Sequence, residues 1–503
     1  MSKFISAIKK VFTPIDLTSG KPYKVIILFA LPILLSNLIS QVYSLTDAIV
    51  VGQTIPKQFA GINDTNPLSF LLLQFAGGTT IGLSVAIANR YSKKDYASLR
   101  KSIAQCIIIC ISIALLLTSL GLIFINPLLA SVGLNKNIDS TSYIAGKIYM
   151  TTIISGLIGC ISYNLIINIC RSIGDSVTPL MFLIISNVLN IVLDITFALT
   201  FKGPNLKVFG VAFATVIAWV VSSVLCFIYT FKKYKFIRLS KEDFHFASSD
   251  LFYHLKISIP LGLQYSILAI GIIIMQNGIV QFDVNNFTEG EIVHHYVQDG
   301  YGAACKLQNF LNTGYFALAS SILAYVAQND GIKNIERLKK GIKQGFLIGL
   351  IMYAVIVTFG LLFTINGAFV YIFLKKGAIA QETIKYGSIY LFVSLPLGIV
   401  LFTLIYSRNC LQGFSKPLFP FLAGIGELVA RILAVLFFPT LLNPSNPYSL
   451  ISFGGISFAD GFAWIIGALI LVVPLLVYLK KKNKDPSYKL IENDNIDNNI
   501  NNN

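Results

Sequence analysis

Long apolar stretches without a charged residue restrict what this chain can fold into more than any other feature of its sequence. Three of them occupy residues 103–134, 346–374 and 461–479. A helix that crosses about 30 Å of hydrocarbon needs about 20 apolar residues, so each stretch is long enough to span a bilayer. Only 12% of the 503 residues are charged, whereas soluble domains carry about 25%. The sequence therefore predicts a polytopic membrane protein and excludes an ordinary cytosolic enzyme.

Charge runs and clusters of Gly, Pro and Asn divide the rest of the chain. The predicted fold class is an all-α polytopic membrane protein with twelve transmembrane helices. An even number of spans places both termini on the same side of the membrane. The predicted spans lie near 25–51, 68–88, 103–125, 144–167, 179–201, 209–231, 257–282, 307–327, 346–372, 386–407, 418–441 and 454–479.

The basic residues support this topology. Of the 39 Lys and Arg, 29 fall in the termini and loops that twelve spans place on one side. Since cytoplasmic loops carry the excess of Lys and Arg, we expect a multi-pass protein of the cell membrane with both termini cytoplasmic. Residues 1–24 are expected to form a cytoplasmic N-terminal segment, either frayed or a short interfacial helix. Residues 480–503, basic and then rich in Asn, are expected to form a disordered cytoplasmic tail.

The two halves of the chain are related by an internal repeat. Residues 88–101 align without gaps with 327–340, so that Lys94 falls on Lys333. Each repeat unit holds six spans, and an even number gives both copies the same orientation, so a pseudo-two-fold axis along the membrane normal is expected. Further matches place Gly146 on Gly387 and Tyr149 on Tyr390. The prediction is an N-lobe at 25–231, a cytoplasmic inter-lobe linker at 232–256 and a C-lobe at 257–479, the arrangement expected of an alternating-access carrier.

Ionisable residues inside the predicted spans are candidates for function, because a charge at the bilayer centre costs about 2.5–3.5 kcal/mol on insertion scales. Glu427 and Arg431 in span 11 are spaced i,i+4 with the acid first, which lets them pair on one helix face. We interpret them as a structural ion pair, with a transport role as the alternative. Asp47 in span 1 and Asp194 in span 5 have no basic residue close in sequence, although either can pair across helices.

Asp47 and Asp194 each end a polar stripe on an otherwise apolar helix. The polar residues recur at steps of three and four, so each stripe lies on one helix face. Such faces point to a protein interior or to water, which predicts a polar chamber in the N-lobe. For the Asn residues alone, packing between helices is the alternative. The stripes are Asn37, Ser40, Gln41, Ser44 and Asp47 on span 1, and Asn187, Asn190 and Asp194 on span 5.

A carboxyl group in such a chamber can prevent the coupling ion and the substrate from being bound at the same time. Desolvation favours its protonated form, and opening to water favours the ionised form. The ionised carboxylate attracts a cation and the protonated group does not, so binding of H+ or Na+ excludes binding of an organic cation. An antiporter requires this exclusion. Pro32, earlier on span 1, removes a helical hydrogen bond and predicts either a hinge or a static kink.

No motif in the sequence indicates a metal, nucleotide or other cofactor site. The sequence has no HExxH, no CxxC pair and no P-loop. One polar cluster lies in residues 283–300, which have no counterpart in the first repeat. We interpret it as a solvated external loop, with the site of a membrane-embedded enzyme as the alternative. Its members include Glu289, Glu291, His294, His295 and Asp299.

Several segments resemble the multidrug and toxic compound extrusion (MATE) transporters. They are ALPILLSNLISQVYSLTDAIVVGQ at 30–53, CRSIGDSVTP at 170–179, NVLNIVLD at 187–194 and AYVAQNDG at 324–331. The resemblance covers residues 17–480 and implies efflux of amphipathic, often cationic compounds driven by inward movement of H+ or Na+. It is closest to the DinF-like branch, which implies cation coupling at Asp47, Asn190 and Asp194, with Asn187 beside them. The NorM-like branch instead has acids on spans 7 and 10, whereas here span 7 has no acid before Asp283 at its end and span 10 has none.

The sequence thus predicts a monomeric secondary antiporter rather than an enzyme. Its partners are small amphipathic or cationic substrates and the lipid bilayer, not nucleic acid, and its coupling ion is H+ or Na+. A flippase for a lipid-linked sugar or polysaccharide precursor is the alternative within transport, and a cleft rich in Lys and Arg would favour it.

Overall fold

A computed structural model gives the fold of this chain. The residues it describes are 15–54, 58, 61–62, 64–132, 134, 136, 140–245, 248–289, 292–371 and 378–488. Within α1, introduced below, the side chains of residues 43–54 lie outside this description.

The described residues of the first half form eight helices. Two of them, α5 and α6, are separated only by Gly156, and two short 3-10 turns follow α8. The helices are α1 (Pro22–Thr54), α2 (Asn66–Ser92), α3 (Tyr96–Ile123), α4 (Ile125–Ser131), α5 (Ser140–Ser155), α6 (Leu157–Ser172), α7 (Val177–Thr200) and α8 (Pro204–Lys233).

In the part of the second half that the structure describes, there are nine helices and a two-stranded antiparallel hairpin. The hairpin pairs Thr288 with Val293 and Glu289 with Ile292. The elements are α9 (Ser248–Asn286), β1 (Thr288–Glu289), β2 (Ile292–Val293), α10 (Tyr296–Gly331), α11 (Ile335–Ile365), α12 (Ala368–Tyr371), α13 (Ala378–Ser394), α14 (Gly398–Gly413), α15 (Leu418–Leu442), α16 (Leu450–Ser457) and α17 (Ala459–Lys484).

The helices confirm the predicted number of spans. Among the described residues, ten spans are long and apolar enough to cross a membrane without a sharp break. Two pairs pass the same test together but are bent, by 47° between α5 and α6 and by 55° between α13 and α14. Counting each bent pair as one span gives twelve. The all-α prediction is confirmed, apart from the short β1–β2 hairpin.

Local geometry repeats at the spacing that the sequence alignment predicts. Lys94 and Lys333 both have a positive φ, of 58° and 57°. Each is followed by a helix N-cap, Asp95 or Asn334, whose side chain accepts a hydrogen bond from a backbone N–H three residues later. The bends after α5 and α13 also fall at corresponding positions in the two halves. The repeat is therefore a repeat of structure as well as of sequence.

A glycine packs closely against the backbone of another glycine at corresponding positions in the two halves. A Cβ built on Gly146 would lie 2.9 Å from the carbonyl oxygen of Gly61, and one built on Gly387 would lie 2.6 Å from that of Gly300. Both contacts require a residue without a side chain because the opposing atom is backbone, which cannot rotate away.

The Gly387→Ala variant tests this contact. The added methyl group would overlap the Gly300 carbonyl oxygen and lie 2.6 Å from Cε2 of Phe369, and overpacking of this kind destabilises by about 1–3 kcal/mol. We expect a lower melting temperature of the purified protein in detergent. Gly302→Ala is the matched control, because nothing lies within 4 Å of its added Cβ. Equal melting temperatures for the two variants would contradict the packing constraint.

Each half of the chain contributes to a compact unit with its own apolar core. Unit 1 contains residues 1–266 and 327–332, and unit 2 contains 267–326 and 333–503. The division falls inside α9 and near the end of α10 rather than in the predicted linker, so the first part of α9 packs with unit 1. Buried core residues include Leu83, Ile103 and Ile166 in unit 1, and Phe282, Phe369 and Phe453 in unit 2.

The start of the predicted disordered tail needs correction. Residues 480–484 complete the last turns of α17, and Pro486–Tyr488 form a 3-10 turn in which Tyr488 is buried. The helix continues past the apolar stretch because Lys is a good helix former and basic side chains stabilise a helix C-terminus. Residues 489–503 lie outside the described part of the chain.

Candidate functional site

The two polar stripes lie on helices that pack against each other. Contacts join α1, which carries the first stripe, to α7, which carries the second. On α1, Asn37 is half-buried and Gln41 is exposed. Ser44 and Asp47 belong to the same helix, but their side chains lie outside the described part of the structure. The packing of α1 on α7 is consistent with the single N-lobe chamber that the two stripes predict.

Pro32 lies inside α1, which continues through it without a break. The hydroxyl of Ser36 donates a hydrogen bond to the Pro32 carbonyl oxygen at 2.8 Å, and the hydroxyl of Ser40 donates to the Ser36 carbonyl at 3.0 Å. A proline ring cannot donate to the carbonyl one turn earlier, so this turn has one hydrogen bond fewer than its neighbours. The hinge at Pro32 stays a prediction.

The stripe on α7 is the most deeply buried part of the site. The side chain of Asp194 is fully buried (0% exposed), and Asn190 is buried one turn before it. The Asn190 amide nitrogen lies 3.5 Å from the hydroxyl of Thr215 on α8. Asn187, one further turn back, has a buried amide nitrogen without a hydrogen-bond partner among the described residues.

Thr215 is a member of the site that sequence reasoning missed. It is an isolated hydroxyl residue near the start of a mostly apolar span, and the hydroxyl of a threonine in a helix commonly donates a hydrogen bond to the carbonyl one turn earlier. Thr215 lies 3.4 Å from the carbonyl of Val211 in that manner. Its approach to Asn190 depends on how α7 and α8 pack, which a stripe on one helix cannot reveal.

The predicted ion pair between Glu427 and Arg431 is wrong in its partners. Glu427 accepts a hydrogen bond from the guanidinium of Arg408 on α14. Arg431 instead pairs with Asp460 on α17, with Nη2 and Nε at 2.9 and 3.0 Å from Oδ1. All four side chains are buried, and each charge finds an opposite charge on a neighbouring helix. Buried charges are retained when they are paired in this way.

Two of these four groups were missed as charges inside the protein. Arg408 lies one residue beyond predicted span 10, where the predicted topology has a cytoplasmic loop, but its side chain is only 6% exposed. Asp460 lies within predicted span 12 and was not counted among the intramembrane charges. Its position in a predicted span was a signal that could have identified it.

The paired charges extend into a polar network across unit 2. The hydroxyl of Tyr390 on α13 lies 2.9 Å from Oδ2 of Asp460 and 2.8 Å from Oε1 of Gln308 on α10. The ring of Tyr390 also packs edge-on against Tyr301, with ring centroids 4.9 Å apart. The network therefore joins helices α10, α13, α15 and α17 through buried polar contacts.

Residues 283–300 were predicted to form an external loop. Most of the described residues among them belong to the end of α9, to the β1–β2 hairpin or to the start of α10. Asp283, near the end of α9, accepts hydrogen bonds from the backbone N–H groups of Val297 and Gln298 at 2.8 and 2.9 Å. These donors open α10, so Asp283 acts as its cap. His294 stacks on Tyr296. Among the residues that the structure describes, no group of three His, Cys, Asp or Glu side chains could hold a metal ion.

Known proteins share both the sequence pattern and the fold. The MatE family model matches residues 32–196, which include both polar stripes. The probable multidrug resistance protein YoeA of Bacillus subtilis is 25% identical over 335 residues, 66% of this chain and 69% of that protein. The FAD transporter of Shewanella oneidensis is 23% identical over 82% of this chain and 86% of its own.

A solved structure, of MATE in complex with MaL6, has the same fold, with a TM-score of 0.80 and 18% identity over 94% of this chain and 100% of that one. That likeness shows the fold alone, and the likeness in sequence comes from the family model and the named relatives. The chain is therefore similar in sequence to the MatE family model over residues 32–196 and to probable multidrug resistance proteins, and it has the fold of MATE transporters.

Proposed function

We propose that this chain is a secondary antiporter of the DinF-like branch. It exports amphipathic, often cationic compounds across the cytoplasmic membrane of a prokaryote in exchange for H+ or Na+. The observation that carries this proposal is the fully buried Asp194 on a helix that packs against the helix of Asp47. Both termini would be cytoplasmic and the protein would act as a monomer.

Polar groups around Asp194 support a site for a small cation. A buried carboxylate needs compensation from a cation, a proton or hydrogen-bond donors. Asn190 and Thr215 place an amide and a hydroxyl on the same side of α7. The unpartnered amide nitrogen of Asn187 costs free energy unless water or a ligand oxygen accepts its hydrogen bond. A water molecule or an oxygen atom of a ligand would therefore be stabilised beside Asn187.

The buried acids of unit 2 are less suited to coupling. Glu427 and Asp460 each hold an arginine within ion-pair distance. A carboxylate that is already neutralised by a guanidinium has little affinity for another cation. This contrast supports placing the coupling ion in the N-lobe, at Asp47 and Asp194 with Asn190 and Asn187, inside the chamber lined by Asn37, Gln41 and Ser44.

Organic anions are a second substrate class to test, because one relative is named an FAD transporter. Two buried arginines in unit 2 would favour an anion or the lipid-linked sugar of a flippase if they were free. Both are paired with acids, which favours cationic over anionic compounds here.

Dye transport into inverted vesicles tests the proposal. With an imposed pH or Na+ gradient, we expect uptake of a cationic dye such as ethidium that stops when the gradient is collapsed. Only one of the two gradients should drive uptake, and this identifies the coupling ion. FAD, presented in the same vesicles, should be transported much more slowly. Dye uptake that is indifferent to both gradients would contradict antiport, and faster uptake of FAD would favour the anionic class.

A further inference from the structure

A groove on the surface of unit 1 separates α5 from α8. Its volume is about 620 Å³, and its lining includes Lys147, Thr151 and Ser155 from α5 with Phe209 and Phe213 from α8. Gly156 and Val216 also line the groove, and the chain is closely packed there, because a side chain on Gly156 would overlap Val216. The chain bends by 47° at this glycine. The groove therefore extends along α5 to the bend.

The groove opens toward the apolar surface of the protein. Phe209 and Phe213 are 36% and 38% exposed, and the flanking Ile144, Ile158 and Val220 are exposed to a similar degree. On the other side of the same helices, Ala145, Val208 and Val211 form a buried apolar cluster. In a chain with twelve spans, an exposed apolar surface of this kind is in contact with lipid tails.

Lys147 is the one charged residue among the described residues that line this mainly apolar groove. It lies two turns after the start of α5, about 10 Å along the helix. Its ammonium group points back over the ring of Tyr143, 5.8 Å from the ring centroid, toward the helix start. Among the described residues, no carboxylate lies within ion-pair distance of Lys147, although six other Lys and Arg form ion pairs.

The hydroxyl groups that line the groove are neutral and do not supply a negative charge for Lys147. The hydroxyls of Thr152 and Ser155 donate to the carbonyls of Ile148 and Thr151 on their own helix. A long basic side chain near a helix end directs its charge to the membrane interface, where lipid phosphates provide negative charge. A phosphate at the ammonium would leave the acyl chains alongside Phe209, Phe213 and Val216.

We propose that the α5–α8 groove binds an anionic phospholipid of the surrounding bilayer, with its phosphate on Lys147 and an acyl chain against the two phenylalanines. In the predicted topology, the groove lies in the outer leaflet. This inference does not depend on the coupling ion or on the transported substrate.

Lipid retention by the full-length protein tests this site. The protein would be incorporated into bilayers of equal phosphatidylglycerol and phosphatidylcholine with the same acyl chains, extracted, and its bound lipid measured by mass spectrometry. We expect phosphatidylglycerol to be retained about fivefold over phosphatidylcholine, the factor that one lysine contributes near a membrane surface. The ratio should fall toward one in Lys147→Gln and should stay near the original value in Lys147→Arg.

Lys202→Gln is the charge-matched control, since Lys202 is exposed just before the start of α8. It should retain lipid like the original protein, and melting temperatures should be unchanged in all three variants. An unchanged ratio in Lys147→Gln, or an equal loss in Lys202→Gln, would overturn the proposal. Displacement of the bound lipid by millimolar inorganic phosphate would also overturn it, because the site would then recognise a free anion.

Discussion

Asp194→Asn should abolish gradient-driven export of cationic dyes while the protein still reaches the membrane in normal amounts. The substitution keeps the size of the fully buried side chain and removes only its ability to ionise. Without an ionisable group, the site can no longer alternate between a proton or Na+ and an organic cation. Dye uptake into vesicles should therefore fall to the level of vesicles without the protein. Asp47→Asn should have the same effect.

Asp194→Glu is the variant that separates coupling from packing. It retains the carboxyl group and lengthens the side chain by one methylene, so slower but still gradient-dependent transport is expected. Thr215→Val removes the hydroxyl near Asn190 and should reduce the rate without removing the dependence on the gradient. Unimpaired efflux by Asp194→Asn would eliminate its coupling role. Loss of folded protein in that variant would assign Asp194 to structure instead.

Glu427→Gln should mainly damage folding. It leaves the guanidinium of Arg408 buried beside a neutral amide, and breaking one partner of a buried ion pair costs about 3–5 kcal/mol. We expect a low yield of monomeric protein and a strongly reduced melting temperature in detergent. Glu382→Gln is the matched control, because it breaks a more exposed pair with Lys385 in the same unit, and such pairs contribute about 0–1 kcal/mol.

A double variant distinguishes a lost interaction from an uncompensated charge. Replacing both Glu427 and Arg408 by Met removes both charges and retains much of the packed volume, which is often neutral for stability. The melting temperature of the double variant should therefore exceed that of Glu427→Gln. A Glu427→Gln protein that folds normally and does not transport would show that this pair serves transport, contrary to our interpretation.

The number of spans and the repeat could be read from the sequence because both depend on local properties. A span requires only a long enough apolar segment, and the two bent spans, at α5–α6 and α13–α14, remain apolar across their bends. The repeat is visible because corresponding turns need the same backbone geometry. Lys94 and Lys333 both adopt a positive φ and both precede a helix N-cap.

The part of the candidate site on α7 could also be predicted from a local property of the sequence, the spacing of its polar residues. The spacing of Asn187, Asn190 and Asp194 places them on one face of α7, because a helix has 3.6 residues per turn. That face is buried in the structure around Asn190 and Asp194. The two stripes together predicted that α1 and α7 meet at one chamber, but the contribution of α8 could not be predicted, because a stripe shows that a face needs polar neighbours without showing all of them.

The sequence by itself determined the membrane class, the helical architecture, the repeat and the presence of isolated acids in the first half. Only the tertiary structure decided which charges meet. Glu427 and Arg431 are neighbours on one helix, yet each pairs with a residue of another helix, Arg408 or Asp460. The reason is physical: a buried charge is stabilised by the opposite charge that packing brings closest, and packing brings together residues that are distant in sequence.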